Sequence, residues 1–328
     1  MKAIVYSEFG PPDVLKLAEI DKPLPKPKEV LVRVRAASAN PLDWHFIRGE
    51  PRAMRLMGKP NNRVPGADFA GQVEAVGADV TQFRVGDEVF GGCNGAFAEY
   101  ACANSDNLAR KPRALSFEQA AAIPVAGCTA LMAVRDKGGL RPGQSVLVNG
   151  AAGGVGTFAV QIAKALGANV TGVCSARNRD LVRSLGADRV IDYAAEDFAA
   201  SGRQYDLVVR VAGNRSLKDH RRVLTPDGTL VLVGGGVGRD MGGRSQTLDT
   251  LGVLALVLGR GIIARFLRQR IRVFVAKMRP SDLTYLGELC ETGKVTPVIE
   301  RSYALADAAE AIRHIEAGHA RGKVVVTT

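Results

Sequence analysis

Over roughly the first third of the chain, apolar residues come in short bursts broken by glycine and proline. The bursts fall at 2–5, 15–20, 29–37, 71–76, 88–90 and 97–102, with turns such as Gly10-Pro11-Pro12 and Pro23-Leu24-Pro25-Lys26-Pro27 between them. Short β-branched runs with such punctuation predict an all-β unit, most simply a compact barrel. The rhythm changes at Ser116-Phe117-Glu118-Gln119, a capping-box sequence ahead of an alanine-rich helix. Strands are then predicted at 145–149, 169–175, 189–192, 206–211 and 229–233. Helices at 157–166, 179–185 and 217–224 alternate with them, the first two ending at Gly167 and Gly186. Alternation of this kind predicts an α/β doubly wound parallel sheet. A further apolar strand at 272–276 would close one edge of it, where it could pair with a copy of itself. A helix at 282–293, a strand at 298–302, a helix at 305–317 and a strand at 323–326 are expected to rejoin the first unit. The expected domains are therefore 1–117, 118–280 and 281–328.

The strand at 145–149 runs into Gly150-Ala151-Ala152-Gly153-Gly154-Val155-Gly156 and then an apolar-faced helix. Small residues let a backbone approach phosphates closely, and a helix N-terminus offers N–H groups and a positive dipole end. Placed between a strand and a helix, the glycine cluster points to a dinucleotide pyrophosphate, with Ala152, Gly153, Gly154 and Val155 as its carriers.

The cofactor is chosen about twenty residues further on, where NAD-binding units end the second strand with an acid for the ribose 2′-OH. Here that strand ends Cys174-Ser175-Ala176-Arg177-Asn178-Arg179, with a hydroxyl and two guanidinium groups and no acid. Arginine suits a 2′-phosphate through paired, charge-assisted hydrogen bonds. The expected cofactor is NADPH, held by Ser175 and Arg177 with Tyr193 on the next strand end.

At 328 residues with 46% hydrophobic positions, the chain can build about two cores. Its start reads as a strand rather than a signal peptide, and the uncharged apolar stretch at 250–259 is too short to span a bilayer. A cytoplasmic location is the expectation. Five cysteines without a C-x-x-C pair argue for reduced thiols. The net charge of +11 draws on residues 260–279, which hold seven basic residues and no acid. That stretch reads as a solvated basic rim, with an anionic membrane or nucleic-acid surface as the other reading.

The chain resembles the zinc-independent quinone oxidoreductase branch of the medium-chain dehydrogenase/reductase superfamily, and within it the plastid-envelope quinone-oxidoreductase homologues. The resemblance rests on Met1-Lys2-Ala3-Ile4-Val5-Tyr6, Glu29-Val30-Leu31-Val32-Arg33-Val34, Ser38-Ala39-Asn40-Pro41-Leu42-Asp43-Trp44, Pro65-Gly66-Ala67-Asp68-Phe69-Ala70-Gly71, Val85-Gly86-Asp87-Glu88-Val89-Phe90, the 151–156 turn and His319-Ala320-Arg321-Gly322-Lys323-Val324-Val325. It implies a GroES-like β-barrel domain and a Rossmann domain. Zinc-dependent relatives carry Cys where this chain has Asn40, His-Glu where it has Ala67-Asp68, and Cys near Val125, so no zinc is expected. Catalytic zinc needs about three protein ligands.

By the same resemblance, Asn40, Asp43 and His45 are the candidate catalytic residues. His45 stands where quinone reductases often have Tyr, as a donor to a developing oxyanion. Asp43 is read as orienting its neighbours. Thr129 is expected near the nicotinamide, Val211, Ala212 and Gly213 on the adenosine side, Val233, Gly234 and Gly235 on the nicotinamide side, and Arg321, Gly322 and Lys323 as further cofactor contacts. Without a metal, hydride transfer to a quinone, enone or enal is the expected reaction, since hydrogen bonds can stabilise the resulting charge. The expected assembly is a homodimer. The alternatives are an NADPH-binding regulatory or surface protein with little turnover, and an enoyl reductase module acting on acyl chains.

Overall fold

The computed structural model describes residues 1–50, 55, 58, 60–61, 63–213, 215–233, 268–318 and 320–328. The chain forms two compact units, one of Met1–Cys128 with Lys277–Thr328, the other of Thr129–Ala276. The final segment belongs to the first unit, and the first break falls inside the helix Pro124–Leu131.

In the first unit, strands β1 (Lys2–Val5) and β2 (Lys16–Glu19) form an antiparallel pair. A larger sheet contains β3 (Glu29–Ala39), β4 (Asp68–Val76), β5 (Glu88–Gly92), β6 (Tyr100–Asn104) and β7 (Leu108–Arg110). It is completed by two strands from the far end of the chain, β14 (Ile299–Ala304) and β15 (Lys323–Thr327). The order is β14-β15-β3-β4-β5-β7, with β6 also paired to β3. The register Val325↔Ser38 and Val324↔Ala39 is antiparallel and places the start of β15 beside the end of β3. Side chains of Val30, Val32, Phe69, Phe97, Ile312 and Val326 fill the core.

Between the end of β3 and β4 the chain makes helix α1 (Pro41–Arg48), which the strand-dominated reading of this region omitted. Its boundaries have local causes. Pro41 occupies the first helical position, and Gly49 ends the helix in the left-handed region at φ 63°.

The second unit is a six-stranded sheet with every pair parallel. Its strands are β8 (Ser145–Asn149), β9 (Asn169–Cys174), β10 (Arg189–Asp192), β11 (Tyr205–Arg210), β12 (Leu224–Leu232) and β13 (Arg270–Val273), in the order β10-β9-β8-β11-β12-β13. This is the doubly wound order, in which the chain reverses direction between its first and fourth strands and leaves a crevice at their carboxyl ends. Val146, Leu147 and Val148 are all fully buried, as expected of a strand covered on both faces. β13 lies at the edge, two residues earlier than its apolar run suggested. No described helix is long and apolar enough to cross a membrane.

Candidate active site

The second unit builds its site at the end of β8. The N–H groups of Gly150 and Ala151 both donate to the carbonyl of Val173, tying the turn to β9. Gly150 sits at φ +91°, a conformation side chains resist. A Cβ on Gly156 would lie 2.0 Å from the Gly150 carbonyl oxygen, so the helix that follows can approach this closely only with glycine there. By contrast, a Cβ on Gly153 would meet nothing nearer than that same oxygen at 3.7 Å. One glycine is needed by the fold, and the other leaves space.

Gly153 is extended (φ −80°, ψ 176°) and precedes the helix Gly154–Ala165. The first N–H groups of a helix have no acceptor within it, and here they belong to the predicted phosphate carriers Gly154 and Val155. A close-packed turn, a vacant Cβ position and a helix N-terminus fit a dinucleotide pyrophosphate.

The carboxyl ends of neighbouring strands gather around this turn. The Asn149 carbonyl accepts from the N–H groups of Val211 and Ala212 at 2.9 and 3.2 Å. A Cβ on Gly213 would lie 2.9 Å from Asn149 Nδ2. Val233 N–H donates to the Arg210 carbonyl. Gly234 and Gly235 lie outside the described residues. At the end of β9, Ser175 Oγ accepts from Asn178 Nδ2 at 3.2 Å, and exposed Arg177 follows in a short 3₁₀ turn. Tyr193 N–H donates to the Cys174 carbonyl at 3.1 Å, which holds its backbone beside the same strand end, and its side chain is half-exposed. The nearest acid in register is Asp192, opposite Cys174, and its Oδ1 accepts from the N–H of Ala194 in its own turn. Burial, reinforced by Asp192, pushes the Cys174 thiol up to about 11. Thr129 is buried in the helix Pro124–Leu131.

Behind the turn is a contact the sequence reading missed. His220 is fully buried, with Nδ1 2.8 Å from the Ser216 carbonyl and Nε2 3.1 Å from Asn149 Nδ2. A carbonyl can only accept, so Nδ1 carries the proton and Nε2 accepts from the amide. Burial holds the His220 pKa below its ordinary value, with the Ser216 carbonyl opposing, so the ring is neutral.

The first unit holds the candidate catalytic residues. Asn40 is 2% exposed. Its Nδ2 donates to the Ser38 carbonyl at 3.2 Å and to Asp68 Oδ2 at 2.9 Å, and its Oδ1 accepts from Lys323 Nζ at 2.6 Å. Both amide N–H groups are therefore engaged within the protein. Asp43 Oδ2 accepts from the Asn40 N–H at 2.7 Å across the first turn of α1. Asp68 also accepts from Ser38 Oγ at 3.1 Å and, through Oδ1, from the Val125 N–H at 3.0 Å. Lys323 Nζ lies 3.7 Å from Asp68 Oδ2 and donates to the Ala39 carbonyl at 3.3 Å.

Burial pushes the Asp43 carboxyl up to about 7, with the Asn40 N–H opposing and the Asp68 charge adding to the rise. Burial also raises Asp68, against the pull of Lys323, Asn40, Val125 and Ser38, and it lowers Lys323 against the pull of Asp68 and Asp43. His45 is more open. Its ring stacks on Trp44 at 3.7 Å between centroids, its Nδ1 lies 3.9 Å from Glu50 Oε2, and burial holds its pKa below 6.5.

Of the three C-terminal residues assigned to the cofactor, Lys323 turns its ammonium into this cluster. Arg321 is exposed and its N–H donates to Glu300, while Gly322 makes a turn at φ +81°. Ser38 and Asp68 went unassigned in the sequence. The available signal was a charged residue at an inward position of an apolar strand, which both Asp68-Phe69-Ala70 and Lys323-Val324-Val325 display. Of the basic stretch, 260–267 lie outside the described residues, Arg268 pairs with Asp227, and Arg270 and Arg272 sit on β13.

At the positions the sequence analysis compared with zinc ligands there are an amide with both N–H groups engaged at Asn40, the methyl of Ala67, the isopropyl of Val125, and at Asp68 a carboxylate that accepts from Ser38, Asn40 and Val125. Among the described residues no cluster of three or more His, Cys, Asp or Glu could hold a metal ion.

Residues 26–113 match the alcohol dehydrogenase GroES-like domain family, and 185–326 match a family described as zinc-binding dehydrogenase. The chain is 34% identical to the chloroplastic quinone-oxidoreductase QR1 of Triphysaria versicolor, covering 99% of this chain and 98% of that one. It is 33% identical to the 2-methylene-furan-3-one reductase of Solanum lycopersicum, over 99% of this chain and 79% of that one. Its fold matches that of the Escherichia coli quinone oxidoreductase crystallised with NADPH, at a TM-score of 0.83 and 26% identity over the whole of both chains. The chain therefore belongs to the quinone-oxidoreductase branch of the medium-chain dehydrogenase/reductase superfamily, a family of NAD(P)H-dependent oxidoreductases.

Proposed function

We propose that this protein is an NADPH-dependent reductase that delivers hydride, without a metal ion, to a quinone or to the β-carbon of an α,β-unsaturated carbonyl. The observation that carries the reading is the buried cluster of the first unit, where the cation beside Asn40 and Asp68 is the Lys323 ammonium. A site with no Lewis acid suits acceptors whose conjugation already spreads the incoming charge. The preference for NADPH is supported by Ser175, Arg177 and Tyr193 at the ends of β9 and β10, where a 2′-phosphate would find two hydroxyls and a guanidinium.

Bound NADPH would supply the hydride. The chain's residues bind and orient it, through the turn at 150–156, and meet the charge that develops on the acceptor oxygen. His45 suits that task. A neutral imidazole retains one N–H to donate, and its depressed pKa keeps it neutral near pH 7. Asn40 and Asp43 act behind it, because their polar atoms are already engaged with one another and with Lys323.

The test follows the loss of reduced-nicotinamide absorbance with NADPH or NADH against quinones and alkenals, with and without a chelator. The expected result is acceptor-dependent oxidation of NADPH that the chelator leaves intact. Tight NADPH binding with no turnover on any acceptor would overturn the reading in favour of a cofactor-binding protein.

A further inference from the structure

We propose that Lys323 is a positioning residue, the internal cation that locks the start of α1 and with it the Trp44–His45 pair. The proposal builds on the role given to His45 above, but its test needs neither substrate nor cofactor.

The geometry is that of a closed charge cluster. Lys323 is 3% exposed, Asp68 0%, Asp43 4%, Asn40 2% and Ser38 0%. A buried ammonium survives only when its hydrogens find acceptors and its charge finds an anion. Here the acceptors are the Ala39 carbonyl and Asn40 Oδ1, the two residues immediately before α1, and the anion is Asp68.

Asn40 is the residue before the first turn, where an Asn side chain ordinarily caps the helix by accepting from its N–H groups. Here Asn40 and Asp43 form a capping box, and the Asn40 side-chain oxygen accepts from Lys323 at 2.6 Å. The start of the helix is thus tied to β15. Removing the ammonium cuts the tie to Asn40 Oδ1 and takes away the cation paired with buried Asp68, so the start of α1 loses its anchor to β15.

The groups that face the cluster come from every element around it. Asp43 lies on α1, Asp68 on β4, Lys323 on β15, Cys93 just after β5, and Tyr6, with Arg63 beside it, just after β1. Cys93 and Tyr6 are both held in their neutral forms by burial, so the charge balance rests on Asp43, Asp68 and Lys323.

Trp44 is the only tryptophan in the chain, and it stacks on His45. Its emission therefore reports directly on the start of α1, and protonation of the stacked imidazole is expected to quench it. The experiment records the emission maximum, the pH of half-quenching and the melting temperature of the full chain without cofactor. Wild type, Lys323→Met, Asp68→Asn and the double variant are compared. In wild type half-quenching is expected at a lower pH than for an ordinary imidazole, because burial disfavours the charged ring. Lys323→Met is expected to shift the emission to the red, move half-quenching toward 6.5 and lower the melting temperature by roughly 5–10 °C. Adding Asp68→Asn removes the uncompensated charge and is expected to recover most of that loss. Where Lys323→Met alone does not fold, a folded double variant carries the same support. The proposal is overturned if Lys323→Met leaves Trp44 emission and its pH midpoint unchanged, whether or not NADPH affinity falls. It is also overturned if the double variant fails to fold while Asp68→Asn alone folds.

Discussion

His220 accepts a hydrogen bond from the side chain of Asn149, the residue from which the glycine-rich turn departs. A ring buried as the neutral form must desolvate to ionise, so its folded pKa lies below that of the unfolded chain. Between those two values the unfolded chain binds more protons, and stability falls as pH falls. His220 is therefore expected to contribute a drop in melting temperature from about pH 7 towards pH 5, with His45 adding a contribution of the same sign and Asp43 one of the opposite sign. Replacing His220 with Gln, whose carbonyl can take over the bond from Asn149, should flatten that drop. His220→Ala leaves the Asn149 amide unsatisfied and should cost about 1–3 kcal/mol at neutral pH. Denaturant unfolding across this pH range measures both.

Asp43 should tilt the profile the other way. Its folded pKa is raised to about 7 from an ordinary 3.8. Its contribution is therefore fully present below the unfolded pKa and is lost as pH rises through the folded one. Relative to wild type, Asp43→Asn should gain stability above pH 7, because the amide never has to ionise in the buried cluster. A melting-temperature difference that stays constant from acid to alkaline pH would contradict this.

Two glycines six and three residues past Gly150 should behave oppositely. Gly156→Ala forces a Cβ onto a carbonyl oxygen and should abolish a folded second unit, seen as a lost thermal transition or an insoluble chain. Gly153→Ala has room and should melt like wild type. It should still bind NADPH about tenfold or more weakly, because the methyl fills the space left for a phosphate. Calorimetry on the two variants separates packing from binding.

Arg177→Ala should raise the Kd of NADPH by roughly ten- to a hundredfold while leaving that of NADH near its starting value, since a charge-assisted hydrogen bond is worth about 1.5–3 kcal/mol. Equal losses for both cofactors would show that Arg177 does not read the 2′-phosphate.

The parallel sheet was legible because its central strands carry apolar runs, as at Val146-Leu147-Val148, and two of its helices are followed by their own stops, at Gly167 and Gly186. The glycine turn was legible because its requirements are local. The helix Pro41–Arg48 was harder to see. It lies in a region dominated by strands, although Pro41 and Gly49 mark its ends. The charge cluster was the least visible part. Asn40, Asp43 and Asp68 lie in one stretch, but their cation comes from the other end of the chain, and antiparallel pairing of β15 with β3 delivers it. No local pattern encodes that meeting. Likewise, His220 and Asn149 are 71 residues apart, and only the fold of the second unit makes them neighbours.

The division of the first unit into two stretches has a consequence for synthesis. Residues 129–276 are contiguous and can condense as soon as they leave the ribosome. The barrel cannot, because Lys323 is made 283 residues after Asn40. Until β15 arrives, Asn40 and Asp68 lack the Lys323 ammonium and the sheet has an open edge beside β3. The nascent chain should therefore acquire its parallel-sheet unit first and close its barrel last, so that a stalled or clipped product would present a formed parallel sheet and an unfinished barrel.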